Sequence, residues 1–252
     1  MPRQPRRQPI GVPLHVIARG FQGRPIYAEA ESKQHLLDLL VEISDRFRWD
    51  VLDWVVMTNH IHLVVQLHEP TLSDGMKRLT GLHAQRWNWA QAERGHVYMG
   101  RYRSIEIKDD AYLATVVRYI DLNPVRAGLC EHPANYIWSG YAANAGLRDP
   151  ETFHHAGLGR CAISTHEDVT TARARYRRFV CKKIPDWARK GHEFEERPPL
   201  IDILIPGRFE SWSEATDLWW YTAVEIAAVY HVTDRTVRMW LKEGKPPPPL
   251  PA

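Results

Sequence analysis

Along the first half of the chain, apolar residues recur now at every second position and now at every third or fourth. The switches between these two periods mark out the elements. "LHVIARG" (14–20), bounded by Pro13 and Gly20, reads as a first strand. Residues 31–49 are amphipathic, with Leu36, Leu37, Leu40, Ile43 and Phe47 at helical spacing and Ser32 placed as the cap. "VLDWVVMT" (51–58) and "HIHLVVQLH" (60–68) are β-rich runs separated by Asn59, a hairpin or one long bent pair. A second helix is expected over 71–95, weakened at Gly81, and a short strand over 103–108. Residues 109–122 give a third helix, with acidic residues in its first turn and Asn123-Pro124 as its stop. The order β-α-β-β-α-β-α predicts an α+β fold, an antiparallel sheet with helices packed on one face.

Beyond this region the pattern weakens. Residues 145–172 are polar and rich in His, Gly and Thr, a basic helix is expected over 168–183, and Pro198, Pro199 and Pro206 follow. Apolar periodicity returns in "TAVEIAAVYHVTDRTVRMWLKEG" (222–244), and "KPPPPLPA" should be extended polyproline II or disordered. The expected division is a main domain over 1–144, a connector over 145–212, a compact helical segment over 213–245 and a Pro-rich tail over 246–252. No internal repeat is visible.

Composition narrows the class. Of 252 residues, 44% are hydrophobic and 25% charged, the balance of a water-soluble domain. No apolar run reaches the roughly 18–20 residues that span a bilayer, and the basic, Pro-broken start is not followed by a secretory h-region. Cys130, Cys161 and Cys181 are far apart and form no C-x-x-C pair, which suits a reducing cytoplasm and argues against a cysteine zinc site. Net charge is only +3, but arginines cluster at 3–7, 101–103 and 173–178, as a polyanion-binding protein or a solvated helix face would have them.

Two small constellations carry candidate chemistry. In "MTNHIHLVV" (57–65), His60 and His62 project from one face of a strand, with Ile61 on the other. Such a pair supplies two ligands at a separation the sheet holds nearly fixed; by itself it is as readily a pair of packed histidines. In "YLATVVRYIDLNPVRAG" (112–128), Tyr119 and Asn123 are one helical turn apart, a phenol able to act as nucleophile and a neutral amide oxygen able to bind a cation. Each alone also fits a core aromatic and a helix stop.

Taken together, "MTNHIHLVV", "GHVYMGRYRSI" (95–105), "YLATVVRYIDLNPVRAGL" and "YIWSGY" (136–141), in this order, resemble the IS200-type single-tyrosine transposases. Within that family the sequence is most similar to the REP-associated branch, which acts on bacterial palindromic repeats. The resemblance runs from about residue 13 to 141. It implies a ferredoxin-like HUH endonuclease domain over 1–144. His60 and His62 would bind a divalent ion, Mg²⁺ or Mn²⁺, with Asn123 completing the set. Tyr119 would be the nucleophile; Tyr112, earlier on the same helix, is the rival by chemistry, and the spacing to "NPVR" favours Tyr119. Two imidazoles and an amide suit Mn²⁺ better than Mg²⁺. No general base is assigned, Glu106 and Asp121 being near only in sequence.

The implied activity is metal-dependent cleavage and rejoining of single-stranded hairpin DNA (REP-like palindromes) through a 5′-phosphotyrosine, in a bacterial cytoplasmic, nucleoid-associated protein, monomer or homodimer. Arg101, Arg103, Arg118 and Arg126, with Arg3, Arg6 and Arg7 as an arm, are candidates for tracking the DNA backbone. Trp54, Trp87, Trp89 and Tyr102 are candidates for base stacking, against the commoner role of core aromatics. The segment at 213–245 reads as helix-turn-helix-like, with Arg235 and Arg238 on the recognition helix for duplex DNA; His231 stands where glycine is usual at the turn. Two other readings stay open: a domesticated hairpin-binding regulator with little or no cleavage, and a zinc hydrolase built on H-x-H, for which further ligands and a water base are not assignable.

Overall fold

The computed structural model describes residues 7–156, 168–181 and 236. The chain divides into two units, Met1–Gly191 and His192–Ala252, and every element named here belongs to the first. The strands are β1 (Pro13–Arg19), β2 (Trp49–Val56), β3 (His60–Leu67) and β4 (Arg103–Glu106). The helices are α1 (Ala30–Phe47), α2 (Leu72–Ala90), α3 (Asp110–Arg126), the single turn α4 (Tyr141–Asn144) and α5 (Val169–Cys181). The sheet runs β2-β3-β1-β4 with every pair antiparallel, the ferredoxin-like order.

The expected α+β fold on an antiparallel sheet is present, and α1 and α2 share one face. There Leu36, Leu40, Ile43, Met76 and Leu79 pack on Leu14, Val16, Ile61, Leu63 and Val65. The opposite face carries a second helical layer: Val116, Val117, Ile120 and Val125 of α3 and Tyr176 and Val180 of α5 pack on Leu52, Val55 and Val64. A single layer on one face is therefore an incomplete picture. β2 and β3 are buried along nearly their whole length, so both sides of each strand need cover.

Alternation places the residues of β3 without ambiguity: Ile61, Leu63 and Val65 face α1 and α2, and the even-numbered residues face α3. In β2 the register shifts between Val51 and Asp53. The bulge reverses parity, so Trp49 and Val51 share a face with Trp54 and Val56.

Three boundaries differ from expectation. Ser32 is not a cap: α1 begins at Ala30, and the Ser32 hydroxyl, inside the first turn, donates back to the Ile26 carbonyl at 2.7 Å. α2 ends at Ala90, and Ala92 takes a left-handed φ of 51°. α3 passes through Pro124 to Arg126. Proline forfeits one backbone hydrogen bond, but buried Leu122 and Val125 on either side hold the last turn in place. The stop is Gly128, at φ 65°, where Leu129 N–H reaches the Pro124 carbonyl (2.9 Å) and Gly128 N–H that of Val125 (3.0 Å), a Schellman closure. The N-terminus of α3 is as expected, Asp109 accepting from the Tyr112 amide at 2.7 Å.

Candidate active site

The face of the sheet that meets α3 collects an unusual set of side chains for a buried layer. β3 contributes His60 and His62, 1% and 0% exposed. β1 runs antiparallel beside it with Arg19 opposite His60 and Ile17 opposite His62, so His15 lies on the same face, diagonal to His62. His15 Nε2 and His62 Nδ1 are 2.8 Å apart and the rings stack at 5.0 Å. On the far side of β1, Arg103 of β4 pairs with Ile17 and joins this face.

From above, α3 lowers Tyr119 onto the histidines. Its ring stands edge-on to His62 at 5.5 Å between centroids and lies 6.4 Å from His15. Asn123, one turn further, is 5% exposed, and its Nδ2 is buried without a hydrogen-bond partner. Two turns from Tyr119, the Arg126 guanidinium lies 5.1 Å over the phenol ring. The four residues expected to act together, His60, His62, Tyr119 and Asn123, thus gather at one place. Tyr112 belongs to the first turn of α3, near Arg103, and is not part of the group packed on His62.

Burial sets the electrostatics. It pushes the pKa of His60 down to about 3, helped by the Arg19 charge, and that of His15 to about 3, helped by Arg103. His62 is lowered well below the usual histidine range by burial and then by its two histidine neighbours. All three rings are neutral at physiological pH and can present a nitrogen lone pair. The charges nearby are guanidinium groups. Asp121, on another side of α3, accepts from the Tyr176 hydroxyl at 2.5 Å and is turned to α5; Glu106 lies half-buried at the end of β4. Neither is in the group around Tyr119.

The donors suit a divalent cation. Among the described residues no cluster of three or more His, Cys, Asp or Glu is arranged to hold an ion. The third donor here is instead a carboxamide, and its partnerless buried Nδ2 marks a side chain whose polar end is not satisfied by the protein. Two imidazoles with that amide fit the ion that this class of transposase generally uses.

The remaining candidates fall into distinct places. Arg101 and Arg103 are exposed beside the sheet, and Arg7 is exposed at the N-terminal end of the described chain. Arg118 is turned to α5, donating from Nε to the Phe179 and Val180 carbonyls at 3.2 and 3.3 Å. Arg3, Arg6, Arg235 and Arg238, and with them the helix-turn-helix-like segment, lie outside the described residues. Of the aromatics considered for stacking, Trp54 (0% exposed) and Tyr102 (7%) are core, because strand alternation and the 97–102 loop turn them inward. Trp87 is half-buried under Arg24, while Trp89 is 84% exposed.

Sequence reasoning missed His15, Arg19 and Asn59. The signal was present: His15 and Arg19 are the polar members of an otherwise apolar strand and share its parity. What the sequence withheld was that β1 is the neighbour of β3. Asn59, read as a turn residue, reaches His60 Nδ1 through Oδ1 at 2.6 Å.

Residues 11–123 match the family model of the IS200-like transposases. They form an IS200-like transposase domain, a class of DNA-cleaving enzyme. A solved REP-associated tyrosine transposase bound to a REP hairpin has the same fold, with a TM-score of 0.50 at 17% identity over 62% of this chain and 92% of that one. A second solved chain, from Deinococcus radiodurans and also named as a transposase, is 19% identical over 47% of this chain and 96% of its own. Its TM-score of 0.34 is too low to carry weight. No curated protein matches the sequence. Among the described residues no helix is long and apolar enough to cross a membrane.

Proposed function

We propose that this domain cleaves and rejoins single-stranded DNA, presented as a short hairpin, through a covalent tyrosine intermediate. The observation that carries the reading is the seating of the Tyr119 ring edge-on against His62, with Asn123 a turn beyond and Arg126 above the phenol. Neutral donors flanked by guanidinium groups make a pocket whose missing charge is negative, and a phosphodiester supplies it.

In this mechanism the Tyr119 oxygen attacks phosphorus in line, forming a P–O bond to the phenol as the bond to the 3′ oxygen breaks. The products are a 5′-phosphotyrosine and a free 3′-hydroxyl, which takes up a proton as the phenol loses one. Attack by a 3′-hydroxyl reverses the step and reseals the strand without ATP, because the ester energy stays in the protein link. His60, His62 and Asn123 would hold a divalent ion, which supplies Lewis-acid polarisation of a non-bridging phosphate oxygen. Arg126 favours the phenolate by charge and holds the ring still. The nitrogen-rich donor set favours Mn²⁺ over Mg²⁺. The hairpin form of the substrate rests on the fold shared with the hairpin-bound transposase.

The test is to incubate end-labelled hairpin DNA carrying a single-stranded flank with the full chain and Mn²⁺, then denature. A protein–DNA adduct that survives denaturation is expected. Tyr119→Phe should abolish it and leave hairpin affinity unchanged. An adduct of undiminished yield in that variant would move the nucleophile elsewhere.

A further inference from the structure

Two bonds on the rear of the histidine pair carry information beyond position. His60 presents Nδ1 to Asn59 Oδ1 at 2.6 Å, and His62 presents Nδ1 to His15 Nε2 at 2.8 Å. The first bond has a defined direction. The Asn59 amide is oriented by its other end, Nδ2 donating to the Gly23 carbonyl at 3.2 Å, so the atom facing His60 is the oxygen. An amide oxygen only accepts, and His60 must therefore carry its hydrogen on Nδ1.

The second bond, between two imidazoles, can run either way. With the hydrogen on His62 Nδ1, the lone pair of His62 is on Nε2; with the hydrogen on His15 Nε2, Nε2 of His62 is protonated and cannot coordinate. We infer that Asn59 and His15 are positioning residues, each accepting the Nδ1–H of one metal-binding histidine and so keeping its Nε2 lone pair for the ion. The inference rests on the proposed ligand role of His60 and His62 and adds the residues that prepare them.

The architecture fits that duty. His15 is 3% exposed and its ring stacks on that of His62 at 5.0 Å, so the partner cannot swing away without leaving the sheet face. Asn59 is the residue immediately before β3, held between the His60 ring and the 20–24 turn, where Gly20 N–H also bonds its carbonyl at 2.7 Å. Both acceptors therefore come from backbone fixed by the sheet or its hairpin. A ligand histidine whose second nitrogen is held this way is both oriented and made more basic.

Two measurements test it on the full chain. In metal-free protein labelled with ¹⁵N-histidine, long-range ¹⁵N–¹H correlation should show His60 and His62 as Nδ1–H tautomers. Finding His62 as the Nε2–H tautomer overturns the role given to His15, and finding His60 so overturns that of Asn59. Titration with MnCl₂, read by the EPR signal of free Mn²⁺, should give an affinity about 10–100-fold weaker for His15→Leu and Asn59→Leu than for the wild type. His15→Gln, whose carboxamide oxygen can still accept, should recover most of it. Wild-type-like affinity in His15→Leu or Asn59→Leu would sink the inference while leaving the ligand set standing. Failure of the wild type to bind Mn²⁺ while His60→Ala and His62→Ala cleave DNA normally would instead sink the ligand set. Should either Leu variant fail to fold, the wild-type tautomers decide the matter alone.

Discussion

Gly75 and Gly81 lie on the same helix, and alanine should act on them in opposite directions. A Cβ at Gly75 would sit 2.2 Å from Trp49 Cζ2 and 2.6 Å from Cη2, against an ordinary carbon contact of about 3.5–4.0 Å. More than an ångström of movement is needed, and the indole is poorly placed to give it. Trp49 is 2% exposed, its Nε1 donates to Thr71 Oγ1 at 3.2 Å, and Thr71 in turn bonds the Phe47 carbonyl at 3.1 Å. Overpacking of this kind costs about 1–3 kcal/mol, and the clamped indole argues for the upper end. Helix propensity returns about 1 kcal/mol on replacing glycine by alanine, leaving a net loss of about 2 kcal/mol. At Gly81 a Cβ meets nothing within 4 Å, so only the propensity gain of about 1 kcal/mol remains. For a domain of this size Gly75→Ala should lower the melting temperature by about 4–8 °C and Gly81→Ala raise it by about 2–4 °C. Urea unfolding of both variants is the assay. A Gly75→Ala protein as stable as the wild type, or two shifts of the same sign, would refute the packing described for α2 on Trp49.

Three further outcomes are expected. Arg126→Gln should slow single-turnover cleavage about 100-fold with little change in hairpin affinity, since the lost charge lies over the phenol; a rate within threefold of wild type would count against that role. Asp53 and Asp121 are buried carboxyls whose pKa values are raised by desolvation, and in the case of Asp53 further by the Asp121 charge. The folded state thus holds protons the unfolded chain has released, so stability is lost as pH rises above the ordinary carboxylate range of about 4. Asp121→Asn, which keeps an acceptor for Tyr176, should therefore gain stability relative to wild type at pH 8 compared with pH 5; a pH-independent difference in denaturation midpoint would reject this. His83, buried between Ser32 (3.0 Å) and Tyr98 (2.9 Å), has its pKa pushed down to about 3 by burial and then by His35. There the unfolded chain binds the proton, so stability is complete above about 6.5 and lost as pH falls below it. Replacing His83 with Gln should flatten that acid limb, and an unchanged slope between pH 6.5 and 4.5 would be the contrary result.

How far the sequence reached into this molecule follows from the range of the interactions involved. The shared face of His60 and His62, and of Tyr119 and Asn123, depends only on period within one element, and both could be read from spacing. Which element lies opposite which depends on pairings between distant residues: His15 and His62 are brought together across 47 positions by the register of β1 on β3, and nothing local announces that register. Local signals also misled where a neighbour overrode them. Pro124 looks like the end of α3, but the buried residues flanking it keep the helix going to the glycine that can close it. Trp54 looks available to a base, but one extra residue at the bulge in β2 sends it into the core. The same division explains why the polar partners of the site escaped notice. A nucleophile and a metal ligand must be particular side chains at particular spacings, so they leave a pattern, whereas an acceptor behind a histidine can be any suitably placed oxygen or nitrogen. Asn59 and His15 fill that one requirement with two unlike groups from two different strand ends, and only the three-dimensional arrangement makes them equivalent.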